Sequence, residues 1–475
     1  MSQDCMRSAQ FQTALDMTPY TDAVRAVTGQ MAKKPRCFIL TFGCQQNVAD
    51  SEKMRGIAEA MGYRSTNSPE EADLILVNTC AIREHAEQKV LSLVGRFKRL
   101  WEEKPHLLIG ITGCMTAQPH RVEQIKFHYH YINFTLAPGA LHDLPKAVLH
   151  ALKKDPREHR PPRSFHLEQH TDSVVEGIPT SRTEKHKAWV SIMYGCNNFC
   201  SYCIVPYVRG RERSRASSEI VSEVQALVAD GVKEITLLGQ NVNSYQGDCD
   251  FATLLEKLAK IEGDFLLHFM TSHPKDVPDR LIEVMAKYPH RIAPHFHLPL
   301  QSGADEILKA MNRRYTYGRY KTIVQKLRSA MPNIAITSDI IVGFPGETEE
   351  HFEATLSALR EIRYDMLYAF IYSPRKGTVA AARDDQISPE VKKERMGRLL
   401  QLQDEIASEK AAAFLGQTVR VLIDGPSKSK SDVYSGRTAE NRLVHIPSAV
   451  DITGEYVNAK IIRADAYALH GELVN

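Results

Sequence analysis

From residue 36 onward the chain alternates short apolar runs with helical periods, and each run ends in a polar loop. Cys37-Phe38-Ile39-Leu40-Thr41-Phe42 reads as a strand leading into Gly43-Cys44, with helical spacing of apolar residues from 48 to 61. Residues 73–78 read as a second strand, leading into Thr79-Cys80 and a helix that reaches residue 101. Residues 107–111 read as a third, leading into Gly113-Cys114. Strands alternating with helices predict a doubly wound parallel α/β domain over residues 35–150. Ligand sites in such sheets form beyond the carboxyl ends of the strands. Cys44, Cys80 and Cys114 each fall just past a strand end, so the fold brings them together. Three thiolates suit an auxiliary 4Fe–4S cluster with one iron left open. Three ordinary buried thiols are the plainer alternative.

A second set is local. Cys196-Asn197-Asn198-Phe199-Cys200-Ser201-Tyr202-Cys203 puts three thiols on one short loop, enough for three irons of a 4Fe–4S cube with the fourth open. A structural zinc loop usually pairs its cysteines with a second pair, and no Cys or His follows closely here. Nine cysteines, clustered and without a secretion signal, read as metal ligands in a reducing cytosol. The expected location is cytoplasmic: no apolar run approaches membrane-spanning length, so no membrane partner is expected. With 60 basic and 57 acidic residues there is no global field to attract nucleic acid, and RNA affinity must come from local patches.

Residues 1–34 carry no clear period and read as a flexible amino-terminal extension, and residues 151–187, rich in charge, Pro and His, as a linker. Strand-like runs then recur at residues 189–194, 234–238, 265–270, 294–300, 334–342 and 366–372. Six such units fall short of an eight-unit barrel, and residues 188–412 read as a partial (β/α)6 barrel whose chemistry sits at the carboxyl face. Residues 413–475 read as a small β-barrel of about five strands, an architecture often used on oligonucleotides. Lys428, Lys430, Arg437 and Arg442 are its candidate phosphate contacts, with a solvated loop as the alternative. Arg209, Arg211, Arg213 and Arg215 alternate after the cysteine loop. In an extended chain they share one side, an edge fit for phosphate contact or for plain solvation.

The C-x3-C-x2-C loop resembles the radical S-adenosylmethionine superfamily, and residues 413–475 resemble the TRAM module of RNA-modifying enzymes. The order of the three domains resembles the methylthiotransferases. Gly43-Cys44-Gln45-Gln46-Asn47 with Asp50-Ser51-Glu52, Asn78-Thr79-Cys80-Ala81-Ile82-Arg83-Glu84, His297-Leu298-Pro299-Leu300-Gln301-Ser302-Gly303 and Ser338 to Glu347 carry the likeness. The run after Cys80 favours the branch that acts on isopentenyl-adenosine next to the anticodon of tRNA. The branches acting on threonylcarbamoyl-adenosine or on a ribosomal protein are alternatives, as is a non-enzymatic Fe–S or zinc RNA-binding protein.

The resemblance implies two 4Fe–4S clusters and S-adenosyl-L-methionine as cofactors. It implies that the cluster on Cys196, Cys200 and Cys203 reduces the cofactor to a 5′-deoxyadenosyl radical, while sulfur and methyl arrive from the cluster on Cys44, Cys80 and Cys114. No catalytic side chain beyond the clusters is implied. Tyr202 fits the family's aromatic near the adenine, and Gly343 its adenine pocket. Many relatives hold the methionine ammonium with Gly-Gly-Glu after the second barrel strand. This chain has Leu238-Gly239-Gln240-Asn241 there, without a carboxylate. Gln240, Ser272, Gln301 and Arg314 are therefore the candidates for the ends of the zwitterion. The implied partners are a tRNA anticodon stem-loop and an electron donor such as flavodoxin or ferredoxin.

Overall fold

The structure is a computed structural model that describes residues 11–13, 17–81, 84–153, 162–165, 174–428, 430 and 432–474. Two compact units divide the chain: residues 1–184, 191–197 and 203–219 form the first, and residues 185–190, 198–202 and 220–475 the second. No helix among the described residues is long and apolar enough to cross a membrane.

The first unit contains β1 (Phe11–Thr13), β2 (Arg36–Thr41), β3 (Arg64–Thr66), β4 (Leu74–Thr79), β5 (Leu108–Gly113), β6 (Phe134–Leu136), β7 (Ser164–Phe165) and β8 (Val174–Glu176). Six of them form a parallel sheet in the order β3-β2-β4-β5-β6-β7. Successive side chains of a strand face opposite sides, and both sides of this sheet are covered. Leu74 and Leu76 pack with Met54, Ile57 and Val148 on one side. Ile75 and Val77 pack with Val90, Val94 and Ile125 on the other. That is why β4 reads as a continuous apolar run instead of an alternating one.

The expectation for residues 1–34 needs correction within its described part. Helix Thr18–Gly29 buries Val24 in the sheet's core, and Thr28 Oγ1 donates to the Met61 carbonyl at 2.8 Å. The linker 151–187 holds β7 and β8, the latter paired in parallel with β1. Strands of two and three residues are too short to show a period, so the sequence hid them; residues 154–161 and 166–173 of that segment lie outside the described residues.

The second unit is built on β9 (Lys187–Ser191). In chain order β10 (Met193–Tyr194) and β11 (Arg213–Ser214) follow and pair antiparallel in the first unit. The second unit continues with β12 (Glu234–Leu238), β13 (Leu266–Phe269), β14 (His295–His297), β15 (Ala335–Val342) and β16 (Met366–Ile371). Its strands run in the orders β13-β12-β9 and β14-β15-β16, joined by a parallel bridge between Leu267 and Ile292. This is the open six-strand barrel expected. After helix Pro389–Ala412 come β17 (Thr418–Pro426), β18 (Val433–Arg437), β19 (Leu443–Pro447), β20 (Tyr456–Asp465) and β21 (Ala468–Val474). They close into a barrel in the order β17-β18-β19-β21-β20 around Val421, Ile423, Val444, Ile446 and Ile461. Lys187 ties it to the barrel strands, with Nζ 2.6 Å from Asp424 and 3.1 Å from Glu234.

Candidate functional site

In the first unit β2, β4 and β5 are neighbours, with Thr41 beside Asn78 and Thr79 beside Gly113. Their carboxyl ends therefore release Cys44, Cys80 and Cys114 from one sheet edge. Two glycines let the loops close. Gly43 has φ 118°, and a Cβ there would come 3.0 Å from the Cys80 Cβ. Gly113 has φ 99°, and a Cβ would stand 2.3 Å from the Thr79 carbonyl oxygen. Cys44 stands at the N-cap of helix Gln45–Ala60. Its Sγ lies 3.4 Å from Asn47 Oδ1, and Asn47 Nδ2 donates to the Thr79 carbonyl at 2.9 Å. Cys80 and Cys114 are buried. Burial pushes the Cys114 thiol up, Arg209 pulls it back, and Cys44 adds a further push upward. Among the described residues no three His, Cys, Asp or Glu are arranged to hold a metal ion directly. The donor set is thiol only, and it fits an iron–sulfur group, whose ligands sit on separate irons.

The Cys196 loop is held from both sides of its sequence. Cys196 N–H donates to the Gly210 carbonyl at 3.1 Å, and Asn197 N–H to Glu212 Oε1 at 3.0 Å, all within the first unit. In the second unit Ser201 N–H donates to the Met311 carbonyl at 3.0 Å. Asn312 Nδ2 donates to the carbonyl of Phe199 at 2.9 Å, a residue with φ 46°. Arg313 Nη1 donates to Cys200 Sγ at 3.4 Å. Cys196 and Cys200 are buried, while Cys203 is half-buried. Cys37 is a core thiol pushed by burial to about 12, Cys249 has no place in either set, and Cys5 lies outside the described residues.

The carboxyl ends of the barrel strands expose a row of unsatisfied polar atoms. Asn241 Oδ1, both polar atoms of the Asn243 side chain, Ser272 Oγ, His273 Nε2 and Gln301 Oε1 are buried and find no partner among the described residues. Buried polar groups are nearly always bonded, so this row fits a polar ligand such as S-adenosyl-L-methionine. Gln301 adopts φ 74°, fixed by its N–H on the Asp339 carbonyl at 2.8 Å and its carbonyl on the Ile341 N–H at 3.0 Å. His273 is held neutral, at about 2, by burial and then by Arg313 and Lys275. Tyr202 packs against the cluster of Ile307, Met311, Phe344 and Tyr372. Gly343 N–H donates to Glu347 Oε1 at 3.0 Å, and Gln240 is half-buried. Arg314 is exposed; its neighbour Arg313 is the buried one, with Nη2 on the Pro299 carbonyl at 3.0 Å. Arg313 and Asn243 went unread, although the pair Arg313-Arg314 was visible. His295 and His297 are buried. Both bond Thr337 Oγ1 at 3.0 Å inside the wall.

The basic residues separate. Arg209 is buried and paired with Asp50 at 3.0 Å, and Arg215 is buried against Glu176 at 2.8 Å, so neither faces a phosphate. The expected alternation fails because Val205–Arg209 is helical and Gly210, at φ 76°, turns the chain. Arg213 is half-buried, with Nη2 on the Arg209 carbonyl at 3.1 Å, and Arg211 is exposed. Lys428 and Lys430 are exposed, whereas Arg437 bonds the Asn441 carbonyl at 3.0 Å. Arg442 is 11% exposed and bound to Asp365 at 2.9 Å, which corrects its reading as an RNA contact.

Residues 190–359 match the radical SAM superfamily, residues 36–136 the uncharacterized protein family UPF0004, and residues 412–474 the TRAM domain. The fold is similar to that of the radical S-adenosylmethionine methyltransferase TsrM from Kitasatospora setae. Its TM-score is 0.55 at 13% identity, over 79% of this chain and 89% of that one. The cobalamin-dependent radical enzyme OxsB gives a TM-score of 0.51 at 12% identity, over 80% of this chain and 56% of that one. The chain is thus a radical SAM enzyme with a TRAM domain, a class that implies a 4Fe–4S cluster and S-adenosyl-L-methionine. It is 48% identical over 440 residues, 92% of each chain, to the tRNA-2-methylthio-N(6)-dimethylallyladenosine synthase of Thermoanaerobacter sp. (strain X514). The synthase of Caldicellulosiruptor saccharolyticus gives the same figures. That of Geobacillus kaustophilus is 47% identical over 450 residues, 94% of this chain and 83% of its own. The chain belongs to the family of these synthases.

Proposed function

We propose that the chain transfers a methylthio group to carbon 2 of N6-isopentenyladenosine beside the anticodon of tRNA, using two 4Fe–4S sites. The relatives' names favour this substrate over threonylcarbamoyl-adenosine or a ribosomal protein. The observation that carries the two-site reading is the second thiol set, Cys44, Cys80 and Cys114, released from one sheet edge. An enzyme with one cluster has no use for it. Cys196, Cys200 and Cys203 hold the other cluster. When bound, the clusters and S-adenosyl-L-methionine supply the one-electron cleavage and the sulfur that an unactivated C–H bond requires.

The chain's own residues bind, orient and exclude water. Ser272 and Gln301 offer oxygens to the methionine end of the cofactor, and Asn241 and Asn243 stand in the same row. They take the place of the absent Gly-Gly-Glu carboxylate. Tyr202 and the Gly343 turn shape the adenine side. Arg211, Lys428 and Lys430, the exposed members of the basic set, contact tRNA phosphates. The target base lies in a single-stranded loop and is splayed into the barrel mouth. A flavodoxin or ferredoxin delivers the electron, in the cytoplasm where tRNA is modified. The test is nucleoside mass spectrometry of tRNA from a strain lacking its own synthase and supplied with this gene. Return of the methylthio-isopentenyl nucleoside supports the proposal. A strain that makes the chain and lacks the nucleoside contradicts it.

A further inference from the structure

Arg209 closes the short helix Val205–Arg209 that follows Cys203 in the sequence. Its side chain is 5% exposed. Nε donates to Cys114 Sγ at 3.2 Å, and Nη2 donates to Asn47 Oδ1 at 3.3 Å and Asp50 Oδ2 at 3.0 Å. Asn47 in turn reaches Cys44 Sγ and the carbonyl just before Cys80. Ile204 and Val208 of the same segment pack against Ala81 and Cys114. One guanidinium is thus wired to all three thiol loops of the first unit.

We propose that Arg209 is a positioning residue of the auxiliary thiol set, holding Cys114 through a charged N–H···S bond and, with Asp50 as its counter-charge, setting the reduction potential of the cluster that the set holds. The inference rests on the reading above that Cys44, Cys80 and Cys114 bind a cluster. Net charge and hydrogen bonds to the sulfurs are among the determinants of cluster potential. A buried positive charge beside a ligand sulfur favours the reduced, more negative state and raises the potential. Asp50 partly cancels it. The two residues therefore act with opposite sign, which a purely structural ion pair does not do.

The test uses the full chain with Cys196, Cys200 and Cys203 changed to Ala, so that only the auxiliary cluster is observed. After anaerobic reconstitution with iron and sulfide, the midpoint potential is read by an EPR-monitored redox titration. Asp50→Asn raises it above that of this parent. Asp50→Asn with Arg209→Met, which leaves no unpaired buried charge, lowers it below the parent at equal iron content. Arg209→Lys falls between. Potentials unmoved in both variants, or moved in the same direction, overturn the proposal while the cluster reading stands. A parent that binds no iron overturns both.

Discussion

Changing Arg442 to Ala should destabilise the second unit and leave the tRNA salt dependence untouched. Arg442 Nη2 donates to Asp365 Oδ1 at 2.9 Å with side-chain exposures of 11% and 13%. Its guanidinium lies 4.8 Å from the Phe414 ring centre. Asp365 keeps two other partners, Lys410 Nζ at 2.7 Å and the Ile336 N–H at 2.9 Å. The variant therefore loses one of three charged hydrogen bonds and strands no charge. Such a bond contributes about 1.5–3 kcal/mol, and the cation–π contact about 0.5–1 kcal/mol. A loss of about 2–4 kcal/mol lowers the melting midpoint by at least roughly 4 °C, taking about 2 °C per kcal/mol for a unit of this size. Melting of the iron-free protein gives the first number, and filter binding of tRNA over a salt series the second. A phosphate contact would show as a fall of about 0.7–0.9 in the salt slope. A wild-type midpoint with a slope reduced by that amount would refute the structural assignment.

Lys428→Ala with Lys430→Ala should do the reverse, lowering the salt slope by about 1.4–1.8 with no change in melting; an unchanged slope returns both to solvated surface. Arg395→Ala removes the partner of Glu347, a pair with side-chain exposures of 6% and 2%, and should cost about 3–5 kcal/mol in denaturant unfolding. A loss below about 1 kcal/mol would contradict the burial argument. His268, His273 and His295 are held neutral by burial, while the unfolded chain takes up their protons below a pH of about 6.5. Their folded values are depressed, so stability is flat above that pH and lost below it. At pH 5.5 the loss is about 1.4 kcal/mol for His273, whose folded value lies at about 2, and His268 and His295 add to it in the same direction. Iron-free protein that unfolds with equal free energy at pH 7.5 and 5.5 contradicts this.

The architecture was legible because local periods set it. β4 and β5 open on apolar runs and are buried along their whole length, and their ends place Cys80 and Cys114 without knowledge of any contact. What the sequence hid was decided by distant partners. Helix Thr18–Gly29 looked loose because its stability comes from packing into the core beside helices Gln45–Ala60 and Leu144–Leu152, not from its own pattern. The arginines after Cys203 looked equivalent, yet Asp50 and Glu176, both far away in sequence, draw two of them inward. Arg313 and Arg314 are adjacent, yet Arg313 turns to Cys200 while Arg314 stands exposed, with positive φ at Asn312 and Arg314. Charge alone does not say whether a cation serves a phosphate, a carboxylate or a sulfur.

The division of labour between the two cysteine sets is tested most directly by iron content, cofactor cleavage and product in two triple variants. Cys44, Cys80 and Cys114 changed to Ala should leave about half the iron and retain reductive cleavage of S-adenosyl-L-methionine to 5′-deoxyadenosine, with no methylthio product in tRNA. Cys196, Cys200 and Cys203 changed to Ala should abolish cleavage and product together while the other set still binds iron. Methylthio-nucleoside made by the first variant would contradict the two-site account.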